Sequence, residues 1–270
     1  MAIKATAAIL AAMLAPWATA ARADEPTAQP SSQSAEDPSP AAAKKEWKFA
    51  TVGYIWFSGI EGETDVIGPV PPVGLDLSFG TILKHFKLGF MGAAEARRDR
   101  LVLLGDLMWV HLSATKGIDI RDRDFLDAKL DSKTLVITAL GGYRVADKGP
   151  VVVDLLAGGR LNRTKNSLTL TGPERTASGS VAQTWVDPVV AVRAIAPLGE
   201  KVGLTLYGDV GGIVVGSDVS WQGLATINYQ ISRKIRVGAG WRYYKVDYDK
   251  GDFLYDVAQS GPILTFRTDF

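Results

Sequence analysis

The sequence has no cysteine and only two histidines, His85 and His111, in 270 residues. A disulfide scaffold, a thiolate zinc site and a cysteine nucleophile are therefore excluded, and a three-histidine metal centre cannot be assembled. No metal and no cofactor are expected. An excess of charge of either sign is also missing: 30 Lys and Arg stand against 29 Asp and Glu, a formal net charge of +1. A nucleic-acid binder is normally far more basic, so no nucleic-acid partner is expected.

What is present begins with an address. Residues 1–23 carry Lys4, an apolar run from Ala5 to Leu14 and the small-residue cleavage pattern Ala21-Arg22-Ala23, the layout of a secretory signal peptide. A membrane anchor fits less well, because a spanning helix needs about 20 apolar residues and Pro16 interrupts this run. Cleavage removes Lys4 and Arg22, which leaves 28 basic against 29 acidic residues and a net charge of −1. Residues 24–46 are rich in Pro, Ser and Ala and contain almost no large apolar side chain, so they are expected to be a disordered periplasmic lead-in.

From Trp47 to Phe270 the apolar residues alternate, which is the signature of β-strands. In 202–214, Val202, Leu204, Leu206, Val210 and Val214 share one face and Thr205, Tyr207 and Asp209 the other. The same parity separates Val186, Val190 and Val192 from Asp187 and Arg193, and Ile235, Val237, Ala239, Trp241 and Tyr243 from Arg236 and Arg242. A soluble sandwich or periplasmic binding barrel would turn the apolar faces inward. The secretory signal, strands of ten or more residues and aromatics at the ends of apolar faces favour the reverse. With apolar faces outward, Tyr143, Tyr229, Phe266 and Phe270 mark one rim and Trp109, Trp221, Trp241 and Tyr243 the other, as in the girdles of a transmembrane barrel.

Lipid offers no partner to an open sheet edge, so such a barrel closes, with an even number of strands in bacterial single chains. The spacing predicts an all-β, closed antiparallel up-and-down barrel of about ten strands, eight or twelve being the neighbouring options. The expected spans are 47–57, 86–97, 101–112, 129–145, 151–162, 183–195, 202–215, 221–232, 235–246 and 255–270. Tight connections at 98–100, 146–150, 196–201 and 233–234 alternate with long ones at 58–85, 113–128 and 163–182. Short turns belong to the periplasmic side, which puts both termini there.

The signal, the alternating strands and a last strand bearing Leu264, Phe266 and terminal Phe270 resemble the small outer-membrane β-barrel proteins of Gram-negative bacteria, the broad group that includes the OmpA-type barrels. The segment from Gly240 to Phe266 resembles the closing hairpin of one proteobacterial branch. The resemblance implies residence in the outer membrane among lipid and lipopolysaccharide, and delivery by the barrel-assembly machinery, with Leu264, Phe266 and Phe270 as its recognition signal. No OmpA-like peptidoglycan-binding domain is expected after the barrel.

Outward apolar faces place Glu95, Asp106, Asp154, Asp187 and Asp209 inside, with Arg160, Arg193, Arg236, Arg242 and Arg267. Unpaired charges in a narrow interior cost several kcal/mol, so these are expected to pair. The expected role is a largely plugged barrel acting in envelope structure or surface interaction; the alternative is a narrow small-solute channel, to which inward glycines such as Gly158, Gly238 and Gly240 would contribute. In the first long connection, 73–79 suits a hairpin and 78–86 a short helix with Phe79, Ile82, Leu83 and Phe86 on one side. In the second, Arg121 and Arg123 would meet lipopolysaccharide phosphates, with divalent ions on Asp119, Asp122, Asp124 and Asp127, or remain solvated.

Enzyme signals are sparse. His111 and Ser113 have the His-x-Ser spacing of outer-membrane lipid A deacylases, which share this architecture, and period two puts both on one face. No carboxylate or oxyanion hole is evident beside them, and the paired rim carboxylates of an aspartyl protease-like barrel are not found. The chain is expected not to be an enzyme.

Overall fold

The computed structural model describes residues 46–65, 72–120, 124–213 and 215–270. The expected signal peptide and residues 24–45 of the lead-in lie outside the described residues, as do Arg121, Asp122 and Arg123.

Among the described residues the elements are β1 (Lys48–Trp56), β2 (Gly59–Thr64), β3 (Val73–Leu77), α1 (Phe79–His85), β4 (Phe86–Arg98), β5 (Leu101–Ile120), β6 (Asp124–Ala146), β7 (Val152–Thr171), β8 (Thr176–Pro197), β9 (Val202–Gly212), β10 (Val219–Gln230), β11 (Ile235–Lys250) and β12 (Phe253–Asp269). Strands β1 and β4 to β12 pair in that order, all antiparallel, and β12 returns to β1 through Ala50 opposite Asp269 and Trp56 opposite Ile263. The result is a closed ten-stranded barrel. Each of the ten expected spans falls on one of these strands.

The orientation follows from the parity of the sequence. Leu155, Val186, Val190, Val192, Leu206, Ile227 and Leu264 are exposed on the outer wall, whereas Asp154, Arg160 and Asp187 are almost wholly buried inside it. A soluble barrel would be destabilised by this arrangement; in lipid the exposed apolar wall is the solvated one.

The sequence underestimates the strands at the outer end. The stretches 113–128 and 163–182, expected as loops, are instead the continuations of β5 and β6 to Ile120 and Asp124, and of β7 and β8 to Thr171 and Thr176. Polar residues occupy both faces there, the buried inward Thr164 and Asn166 as well as the exposed outward Arg163 and Lys165, so the apolar–polar alternation that identifies a half-buried strand fades. Strand β8 has 22 residues, roughly 70 Å along its axis at about 3.3 Å per residue, far more than the ~25 Å apolar band requires. Conversely β9 ends at Gly212, short of the expected Val215.

The described parts of the first long connection, 58–65 and 72–85, are structured. Strand β2 continues the pairing of β1 on β12 and β3 pairs with β2, giving the expected hairpin. The break between β1 and β2 lies opposite Pro262: Phe57 donates to the Pro262 carbonyl at 2.9 Å, and proline has no N–H to return. Helix α1 fills the expected position, capped by Ser78, whose Oγ accepts from the Thr81 N–H. None of its residues is buried; Phe79 packs edge-on against Phe57 at 5.0 Å, while Leu83 stays exposed.

Candidate functional site: the barrel lumen

The lumen is the candidate site, because inward parity gathers there the ionisable groups that the strands keep away from lipid. On the periplasmic side, Arg193 of β8 pairs with Asp154 of β7 at 2.7 Å and reaches Glu95 of β4 at 2.7 Å. Arg144 of β6 holds the second oxygen of Asp154 at 2.8 Å, and Arg267 of β12 approaches Glu95 at 3.2 Å. Halfway up, Arg160 meets Asp209 at 2.6 Å. The same Asp209 oxygen accepts from Tyr207 at 2.7 Å and Gln222 at 2.6 Å. Arg242 of β11 contacts Asp106 of β5 at 3.4 Å, Tyr54 of β1 at 2.9 Å and Gln222 at 2.8 Å.

Several of these contacts cross the bore. Strands β8 and β4, β11 and β5, and β11 and β7 each stand four places apart around the ten-stranded ring, close to diametric. Arg193–Glu95, Arg242–Asp106 and the Tyr244–Asn162 hydrogen bond of 2.8 Å are therefore transverse ties at successive heights. Above them Gln183 donates to Tyr248 at 2.7 Å. Guanidinium groups also lie over rings: Arg160 over Tyr244 at 5.0 Å and Arg242 over Trp56 at 5.0 Å.

Two of the ten expected network residues depart from expectation. Asp187 is fully buried yet has no cation within ion-pair distance among the described residues. Its cross-strand partner Arg160 turns to Asp209. Asp187 accepts instead from Asn162 at 3.0 Å, from the Ser217 N–H at 2.6 Å and hydroxyl at 3.0 Å, and from Ser220 at 3.1 Å. Neutral donors replace a cation because the β9–β10 connection turns inward and brings Ser217 to it, something no strand pattern encodes. Arg236 is 39% exposed and pairs with Asp269 at 2.7 Å near the chain terminus, at the periplasmic mouth rather than within the bore.

Parity alone also missed the apolar filling. Tyr54, Trp56, Met108, Val136, Trp185, Tyr244, Val246, Tyr248 and Phe253 form one buried inward cluster, and Val102, Leu140, Leu156 and Val189 another. The signal was present in residues 101–110 of β5, where both faces are apolar apart from Asp106. Glycine serves close strand contact: a methyl at Gly158 or Gly240 would overlap the carbonyl oxygen of Ala139 or Ala225 on the adjoining strand.

His111 and Ser113 lie together on the outer wall, as their spacing predicts. The structure adds a carboxylate, Asp131, which lies opposite Ser113 in the β5–β6 register and 3.4 Å from His111 Nε2. Ser113 thus neighbours the Asp131 carboxylate across the ladder. Among the described residues no cluster of three or more His, Asp or Glu side chains is arranged to hold a metal.

No protein-family model matches the sequence, and no curated protein matches it. Among solved structures the chain is similar to the outer membrane protease OmpT from Escherichia coli, with a TM-score of 0.55 and 9% identity over 84% of this chain and 97% of that one. It is also similar to the translocator domain of the autotransporter NalP from Neisseria meningitidis, with a TM-score of 0.49 and 10% identity over 85% of this chain and 90% of that one. At 9% identity the likeness to OmpT is one of fold. With its apolar exterior and ionised interior, the chain is an integral outer-membrane β-barrel of the Gram-negative type.

Proposed function

We propose that this barrel is a non-enzymatic envelope protein whose lumen is closed to solutes, and that it acts as a lipid-embedded scaffold presenting tall strand hairpins outside the cell. The observation that carries this is the stack of transverse ties, Arg193–Glu95, Arg242–Asp106 and Tyr244–Asn162, at three heights of one bore. Eight strands leave an interior just filled by side chains and sixteen leave a water channel; ten strands filled by two aromatic and aliphatic clusters stand at the closed end. A cavity of about 10 Å³ beside Trp185 and Tyr244 accommodates about one water molecule.

Planar-bilayer recording of the refolded barrel tests this. The expected result is no discrete conductance at modest voltage for the native chain, and openings in a Tyr244→Ala/Arg242→Ala variant that removes two ties. Steady single-channel openings by the native chain would replace this proposal with that of a small-solute channel.

A further inference from the structure

The register sorts the outer wall into rungs. Phe90, Trp109, Leu135, Arg163 and Thr184 are successive cross-strand partners from β4 to β8. Arg163 therefore occupies the rung of the girdle residue Trp109. One rung further out, His111, Lys133 and Lys165 are successive partners. Lys133, Arg163 and Lys165 are exposed, and among the described residues none is in an ion pair. The neighbouring carboxylate, Asp131, is already engaged by His111 at 3.4 Å and Lys129 at 3.3 Å.

Two lysines placed directly opposite each other repel, so the pairing of Lys133 with Lys165 is unfavourable in the chain by itself. Elsewhere the outer girdle is aromatic, as in the stacked pair Trp221 and Tyr243 at 4.5 Å. On β6 and β7 the outward positions 133, 163 and 165 carry cations instead, above the apolar residues Leu135, Ile137 and Leu161 of the same two files. A surface that is apolar below, cationic above and lateral to the bore matches an amphiphile held upright in the outer leaflet.

We infer that Lys133, Arg163 and Lys165 form a binding site for the phosphorylated saccharide head of an outer-leaflet glycolipid, whose acyl chains lie along Leu161 and Ile137. Arg163 offers a planar fork to one phosphate and the two lysines point charges to the same or a second one. The site rests on the chain's embedding in the outer membrane and is independent of whether the lumen conducts. It also differs from the expected contact through Arg121 and Arg123, being on the wall rather than at a hairpin tip.

Binding of purified lipid A to the refolded barrel in detergent tests this, with dephosphorylated lipid A and inorganic phosphate as comparison ligands. Loss of charge-assisted phosphate contacts in Lys133→Ala/Lys165→Ala or in Arg163→Ala is expected to weaken lipid A binding about tenfold or more. A Lys148→Ala/Lys201→Ala variant at the periplasmic turns is expected to bind as the native chain does. Heat-modifiable gel mobility establishes that each variant is folded. Equal binding by the patch variants, or equal binding of the dephosphorylated lipid, overturns the site. So does inorganic phosphate binding as tightly as lipid A, which would assign a free anion in place of a lipid head.

Discussion

Asp187 and Ser217 are joined twice: one carboxylate oxygen accepts the Ser217 backbone N–H at 2.6 Å and the other its hydroxyl at 3.0 Å. The hydroxyl also accepts from Trp185 Nε1 at 2.8 Å. This clasp holds the β9–β10 connection, where Gly212, Ile213 and Gly216 adopt positive φ of 78°, 72° and 82°. Positive φ is costly for a β-branched residue such as Ile213, and the clasp offsets that cost. Glycine is required at 216 because a side chain there would collide with Asp187.

Asp187→Ala leaves the buried donors of Asn162, Ser217 and Ser220 without their acceptor, at about 1–3 kcal/mol for each group that finds no other partner. The barrel is expected to remain closed while its β9–β10 connection opens. Limited proteolysis in vesicles reads this as cleavage between β9 and β10 in the variant and none in the native chain. Equal resistance in both would show that Asp187 does not hold the turn.

The Arg193–Glu95 tie is a buried ion pair, and such pairs behave asymmetrically when one or both members are removed. In Glu95→Leu, Arg193 retains only Asp154, which it already shares with Arg144, and a loss of about 3 kcal/mol is expected. Glu95→Leu/Arg193→Met removes both charges and leaves Asp154 paired with Arg144, so most of that loss is expected to be recovered. Urea unfolding in lipid vesicles measures the cycle; additive losses would mean the two side chains do not interact.

Phe270 is exposed on the outer wall, and its N–H donates to the Phe49 carbonyl at 2.8 Å. If it serves as a recognition signal for assembly, Phe270→Ala lowers the folded fraction in outer membranes several-fold and leaves spontaneous refolding into vesicles within about 0.5 kcal/mol of native stability. Immunoblotting of heated and unheated membrane fractions gives the first quantity. An unchanged folded fraction removes Phe270 from that role.

Much of this protein was legible before folding, because in a barrel the period-two pattern and the choice of solvent decide most of the structure between them. Val186, Val190 and Val192 alternate with Asp187 and Arg193; lipid outside then sends the valines out and the charges in, and the ban on free edges closes the ring. Which charges meet was not legible. Arg160 and Asp187 are nearest cross-strand partners, yet Arg160 pairs two strands away with Asp209, and Arg193 meets Glu95 of β4 across the bore. Those choices depend on strand tilt, bore width and the inward turn of one connection. Sequence sets each residue's face; only the closed tertiary structure sets its distance from residues on strands it never touches along the ladder.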